Sequence, residues 1–169
     1  MAYYKEIVTK AVIGKGKKTT REEMTVTTNE NIDNVLGCWV INHSFSGVIN
    51  GSSILVNGNY DVNIWYSYDN NTKTNVLIKR FNYSDPMNVK IKENSKLTPN
   101  SEIIVRTLSQ PSVIDVSNDN GKITLSIEKQ MGVEVVGDTK VRVSVADDFD
   151  DYEEIVDEEP IEVNDDYLE

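Results

Sequence analysis

Alternation of apolar and polar residues, interrupted by Asn-Gly pairs, runs through most of the chain and limits the folds that it can adopt. A period of two places apolar side chains on one face of a β-strand, whereas an amphipathic helix needs a period near 3.6. Asn50-Gly51, Asn57-Gly58 and Asn120-Gly121 separate such runs, and Asn-Gly in this position is a strong hairpin signal. The sequence therefore predicts hairpins of antiparallel strands.

Strands are predicted where Val, Ile, Thr and Tyr dominate the alternating runs. These runs are residues 3–13, 23–28, 36–42, 45–49, 53–56, 60–68, 74–83, 87–92, 101–108, 112–117, 122–129, 132–136 and 140–146. The segment Gly14 to Lys18 is interpreted as a basic turn, and residues 30–36 as the one place for a helical turn. Short strands at this spacing favour a sandwich or barrel. We expect an all-β, antiparallel β-sandwich of sequential hairpins.

The acidic residues divide the chain into two parts. Residues 147–169 hold 13 acids and no Lys or Arg, which leaves 15 acids and 17 bases in residues 1–146. We predict a β-sandwich domain over 1–146 and an acidic C-terminal tail over 147–169, disordered or loosely ordered because acids repel one another. A nearly neutral body with an acidic tail argues against nucleic acid as a partner. No apolar run approaches the ~18 residues of a membrane span, so we expect no membrane insertion.

The cysteine content and the N-terminus predict a reducing compartment. Cys38 is the only cysteine, so an internal disulfide cannot form. The first residues carry Glu6 and no continuous apolar block, so a secretory signal is not predicted. We therefore expect the protein to stay in the cytosol where it is made.

Residues 60–68 pose the question of whether a row of aromatic side chains is core or a binding site. Alternation places one set on a shared face, which is interpreted as core: Tyr60, Val62, Ile64, Tyr66 and Tyr68. Trp65 lies on the other face beside Asn63 and Ser67. A large aromatic residue among polar neighbours often marks an interface, so these three residues are predicted to take part in a protein contact. Packing beneath a loop and a small-molecule site are the alternatives.

The acidic tail also carries apolar residues. They are Phe149, Tyr152, Ile155, Val156, Tyr167 and Leu168. Apolar anchors within a charged segment allow it to dock on a basic partner. The tail is therefore predicted to bind other proteins, and a solvated tail without a partner is the alternative.

Residues that could support catalysis or bind a cofactor are few. His43 is the only histidine and lies five residues from Cys38, an odd separation that would place the two side chains on opposite faces of one strand. Asp69-Asn70-Asn71 lacks the glycine and the last acid of a calcium-binding loop. We expect no catalytic residue, cofactor or metal, while an enzyme built on Cys38 and His43 stays open as an alternative.

Several longer blocks of the sequence resemble a known family. They are EIVTKAVIGKGKK, LGCWVINHSFSG, GNYDVNIWYSYDNNTKT, SQP at residues 109–111 and EVVGDTKVRVSV, which precedes the acidic end. Together these blocks resemble the CotE family of outer spore coat morphogenetic proteins from Bacillus and Clostridium relatives. The resemblance covers residues 4–146 in order, together with the character of the tail.

The resemblance implies a structural scaffold without enzymatic activity. Such a protein is made in the mother-cell cytoplasm during sporulation and then lies in the spore coat, between its inner and outer layers. It forms homo-multimers over a basement-layer coat protein and recruits outer coat proteins through its acidic tail. A monomeric β-sandwich that binds carbohydrate or peptide through Trp65 and nearby tyrosines is the alternative from another functional class.

Overall fold

The computed structural model describes residues 3–93 and 95–145 and shows an all-β protein, as predicted. Its strands are β1 (Tyr3–Thr27), β2 (Ile32–Asn50), β3 (Ser53–Tyr68), β4 (Lys73–Met87), β5 (Lys90–Ile91), β6 (Glu102–Asp119) and β7 (Lys122–Val145). One sheet has the order β5-β1-β7-β6 and the other the order β2-β3-β4. Strands that follow one another pair antiparallel in β2–β3–β4 and in β6–β7, so the predicted sequential hairpins are confirmed for these elements.

Three tight turns join these hairpins, and two of them lie at Asn-Gly pairs that the sequence predicts as turns. Gly51 and the pair Asn120-Gly121 have positive φ angles, which glycine and asparagine tolerate. The third turn follows Tyr68, where Asp69, Asn70 and Asn71 all have φ between 54° and 61°. The Thr72 amide closes this turn on the Asp69 carbonyl at 3.2 Å.

The core lies between the inner faces of the two sheets. Buried residues of β3, including Val62 and Ile64, belong to the same hydrophobic cluster as Leu125 and Val133 of β7. The row predicted as core is confirmed, because Tyr60, Val62, Ile64 and Tyr66 are all buried and Tyr68 packs against them. Burial of apolar surface at ~25 cal/mol per Å² makes this cluster the main source of stability. Side chains from both sheets therefore form the core of the β-sandwich.

The strands are longer and fewer than predicted, because two supposed turns lie inside strands. Asn57-Gly58 belongs to β3, where it pairs with Tyr83 and Ser84 of β4. A Cβ on Gly58 would collide with the Tyr83 ring and the Ser44 carbonyl, so glycine is needed here for close approach. The Asn57-Gly58 turn prediction was wrong for this reason.

The basic turn and the helical turn were also wrong predictions. Gly14 and Lys15 lie in β1 and pair with Ile91 and Lys90 of β5, so Gly14 to Lys18 continues the strand. Residues 30–36 contain the start of β2 at Ile32 and no helical turn. No helix that could span a membrane occurs among the residues that the structure describes.

The described chain divides into two compact units. The larger is Val8–Lys140, which contains the core. The ends of β1 and β7, residues 3–7 and 141–145, belong to the smaller unit, where the Arg142 guanidinium lies 4.5 Å from the centre of the Tyr4 ring. That contact is a cation–π interaction. The predicted tail, 147–169, lies outside the described residues.

Candidate assembly surface

Trp65 lies on the outer face of the three-stranded sheet, with 42% of its surface exposed. Its neighbours across the sheet are Gly37 on β2 and Val76 on β4. Paired residues of an antiparallel sheet share a face, so the register defines which side chains surround Trp65. The exposure that the sequence predicted for Trp65 is confirmed.

A second tryptophan lies in the next row of the same face. Trp39 of β2 pairs with Asn63, and Asn63 pairs with Ile78 of β4. Trp39 is 41% exposed and Ile78 is 62% exposed. One row further, Ile41 of β2 is also exposed and pairs with Asp61. We call Trp39, Ile41, Trp65, Val76 and Ile78 the tryptophan patch.

The two indole rings of the patch converge on Gly37. A Cβ on this glycine would lie 3.5 Å from Trp39 Cζ3 and 4.0 Å from Trp65 Cε3. The absence of a side chain at Gly37 leaves room above the strand that both rings approach. The patch therefore brings exposed apolar side chains from three strands together on one sheet face, as is typical of an interaction site.

Asn63 lies beneath the centre of the patch and is only 8% exposed. Its Oδ1 accepts no hydrogen bond from any residue that the structure describes. A buried polar atom without a partner lowers the free energy of unfolding by about 1–3 kcal/mol. The prediction that the Asn63 side chain lies on an available surface was wrong, because Asn63 is buried within the sheet surface.

Ser67 is buried as well, and its hydroxyl has a structural role. It donates a hydrogen bond to Asn71 Oδ1 at 2.6 Å, and Asn34 Nδ2 donates to the same oxygen at 2.8 Å. These bonds fix the turn between β3 and β4. The predicted exposure of Ser67 was wrong for this reason, although a contact role for Asn63 and Ser67 stays a prediction.

An ion pair borders the patch on the side of Ile41. Arg80 Nε lies 2.8 Å from Asp61 Oδ1, and Asn42 Nδ2 donates to Asp61 Oδ2 at 3.0 Å. The hydrogen bonds from Arg80 and then from Asn42 lower the pKa of Asp61. Asn42 reaches Asp61 from an irregularity in β2 where its φ is 57°. The charges at this border are therefore matched within the chain.

The same irregularity changes the relation between Cys38 and His43. The register of β2 against β3 shifts between Ile41 and Ser44, so one extra residue reverses the alternation. Cys38 packs against the core, and His43 faces it too, with Nε2 2.6 Å from the Tyr83 hydroxyl oxygen. The prediction that the two side chains lie on opposite faces was therefore wrong.

The environment of both residues opposes nucleophilic catalysis. Burial raises the pKa of the Cys38 thiol, whereas a catalytic thiol needs a lowered pKa. Burial also lowers the pKa of His43, whose Nε2 is hydrogen-bonded to the Tyr83 hydroxyl group. Among the described residues, no group of three or more His, Cys, Asp and Glu side chains could hold a metal ion.

Six residues predicted as contacts lie outside the described part of the chain: Phe149, Tyr152, Ile155, Val156, Tyr167 and Leu168.

Sequence reasoning missed four of the five members of the tryptophan patch. Counting outward from the turn at residues 69–72 would have placed Val76 beside Trp65 and Ile78 beside Asn63. Trp39 could not be found this way, because β2 pairs with β3 through three register shifts.

Comparison with protein families gives a match over nearly the whole chain. The model of the family described as Outer spore coat protein E (CotE) matches residues 3–169. No curated protein and no solved structure matches the chain.

Proposed function

The chain belongs to the CotE family of outer spore coat proteins, and from this premise we propose that it is a self-assembling scaffold whose copies meet through the tryptophan patch. The observation that carries the proposal is the convergence of two exposed tryptophans over Gly37 on the outer face of the three-stranded sheet. The family is one of structural coat proteins, which agrees with a contact surface and not with a catalytic centre.

The chemistry of the patch favours a second copy as its occupant. Asp61 is matched by Arg80, so the nearby border offers no unpaired charge to a strongly charged partner. An identical patch supplies apolar side chains for burial, and a two-fold arrangement makes such a surface self-complementary.

The scaffold proposal includes placement and recruitment. In the mother-cell cytoplasm, multimers would form over a basement-layer coat protein, and the acidic tail would capture outer coat proteins. The concentration of 13 acids in residues 147–169 supports this division, because a charged segment with apolar anchors suits weak binding repeated over many copies.

A monomeric binding module is the second candidate. Two exposed indoles beside an amide form a surface on which a carbohydrate ring or an extended peptide could stack. This candidate predicts a monomer whose tryptophan fluorescence changes with ligand. Self-assembly predicts multimers whose tryptophan fluorescence changes with protein concentration.

Light scattering coupled to size exclusion, over a concentration series of the full chain, tests the proposal. We expect multimers at micromolar concentration, and smaller species for Trp65→Ala and for Ile78→Ser. Val48→Ser is the matched control, because Val48 is 42% exposed and lies on β2 outside the patch. A monomeric wild-type chain at every concentration would contradict self-assembly, and unchanged multimers in both patch variants would contradict the patch as the contact.

A further inference from the structure

A lysine interrupts the most buried row of the sandwich. The inward residues of β7 include Ile127 and Met131, which are almost completely buried. Lys129 lies between them on the same face and is only 2% exposed. An isolated ammonium group in such a place is very costly, so its neighbours decide its chemical state.

The Lys129 amine meets a carboxylate from the opposite sheet. Its Nζ lies 3.1 Å from Asp85 Oδ2 on β4, and Asp85 is 8% exposed. Nζ also donates to Thr20 Oγ1 of β1 at 2.8 Å and lies 4.0 Å from the centre of the Tyr83 ring. Two groups that can form an amide are thus held together between the sheets, where little water has access.

We propose that Lys129 and Asp85 become joined by an intramolecular amide bond between Nζ and Cγ. In the buried pair, the ammonium first transfers a proton to the carboxylate, giving a neutral amine and a neutral acid. The Nζ lone pair then attacks Cγ and forms the C–N bond. The C–O bond of the acid hydroxyl breaks, and that hydroxyl leaves as water with a proton from Nζ. The products are one amide and one water, without an oxidant or a further reactant.

The surroundings favour this reaction. A carboxylic acid and an amine fixed in contact do not lose the entropy of encounter, which is a large part of the barrier in solution. The escape of water from an apolar core opposes hydrolysis of the product. The aromatic ring of Tyr83 and the hydroxyl of Thr20 hold Nζ beside the carboxyl group.

Mass spectrometry of the denatured full chain tests the amide directly. We expect a mass lower than that of the unmodified chain by one water, and a tryptic species in which residues 81–90 are linked to residues 123–140 with no cleavage after Lys129. Asp85 precedes Pro86, whose nitrogen has no hydrogen, so cyclisation onto the backbone cannot cause the loss at this position. An unmodified mass together with normal cleavage after Lys129 would overturn the proposal.

Two variants separate the amide from other modifications. Lys129→Arg should have the unmodified mass, since arginine does not form this bond. Lys18→Arg is the matched control, because Lys18 also bonds to β4, at the Pro86 carbonyl 3.1 Å away, but has no carboxylate partner on that strand. It should keep the loss of water. The wild-type mass decides the proposal even where a variant fails to fold.

Discussion

Trp39 and Trp65 lie on neighbouring strands, and both rings come within about 4 Å of the place where a Gly37 Cβ would lie. Because Gly37 pairs with Trp65 while Trp39 pairs with Asn63, the two indoles are diagonal neighbours and not directly opposed. Diagonal aromatic residues are still within contact reach on a sheet. This arrangement covers Asn63 and turns two single aromatic residues into one surface.

Asn63 gives the first prediction. Asn63→Leu should leave the free energy of unfolding of the unassembled chain unchanged or raise it by about 1 kcal/mol, because it removes a buried oxygen without a donor. The same variant should leave self-assembly unchanged, because the buried Asn63 oxygen is not accessible to a second copy. Urea denaturation at low protein concentration measures the first effect and light scattering the second. A large loss of stability would show that the Asn63 amide is already satisfied within the chain.

Much of the fold could be predicted because the strand pattern and the turn residues are local. Gly51 and Gly121 adopt the positive φ that their Asn-Gly pairs predict, and the row from Tyr60 to Tyr68 faces the core. Gly58 could not be assigned correctly from local sequence. Glycine is required at this position because of the Tyr83 ring, which is 25 residues away in the chain and directly opposite in the sheet. An Asn-Gly pair therefore occurs both in tight turns and where a strand is closely approached by a neighbour, and the dipeptide alone does not distinguish the two.

The candidate site was predictable only in part, for a related reason. Trp65 could be identified because its neighbours in sequence define its face. Trp39 could not, because its position depends on the register shift between Val35 and Gly37 and on the other irregularities of β2. The contact between Lys129 and Asp85 depends on how two sheets stack, and no spacing along the chain encodes it.

The close approach at Gly58 gives the second prediction. Gly58→Ala should lower the free energy of unfolding by about 1–3 kcal/mol, because its Cβ has no space between Tyr83 and the Ser44 carbonyl. Gly37→Ala is the matched control on β2. Its Cβ would be 3.5 Å from the nearest atom, an ordinary contact, so a change within about 0.5 kcal/mol is expected. Equal effects in chemical denaturation would contradict the difference in packing.

The ion pair of Asp61 gives the third prediction. Hydrogen bonds from Arg80 and Asn42 lower the pKa of Asp61 below its usual 3.8. The stabilisation is therefore present above pH 3.8 and is lost as the pH falls through the lower pKa of the folded state. Arg80→Met should be less stable than wild type at pH 7, with a smaller difference in strong acid. Denaturation curves across this range measure it.

A matched control for Arg80 is Lys73→Met. Lys73 pairs with Asp69 at 3.5 Å, and both side chains are largely exposed. Exposed ion pairs contribute little to stability. At pH 7, the free energy of unfolding of this variant should therefore differ from that of wild type by less than that of Arg80→Met does. A difference for Arg80→Met that does not change with pH would show that packing of the Arg80 side chain, and not its charge, is responsible.

His43 gives the fourth prediction. Its effect on the free energy of unfolding should begin at a higher pH than the effect of Asp61. Burial lowers the pKa of His43 from 6.5, so the folded state binds its proton less well than the unfolded state. Stability should therefore fall as the pH decreases from about 6.5 to the lower pKa of the folded state. Below that pKa, protonation of His43 should cause no further change in stability. His43→Gln should lack this component. Thermal unfolding between pH 7.5 and 5 compares the two chains, and parallel curves would contradict the assignment.

The acidic tail gives the last prediction, which concerns the division of labour in the proposed scaffold. A chain that ends at Ala146 removes 13 acids and the apolar residues among them, while it keeps every strand that the structure describes. It should retain the β-sheet circular dichroism spectrum and the multimers of the full chain, because the tryptophan patch lies in β2, β3 and β4. It should lose capture of partner proteins with basic surfaces, and capture by the full chain should weaken as salt rises. Loss of the β-sheet spectrum on truncation would show that the tail belongs to the folded domain, and capture that persists without the tail would place recruitment on the body of the protein.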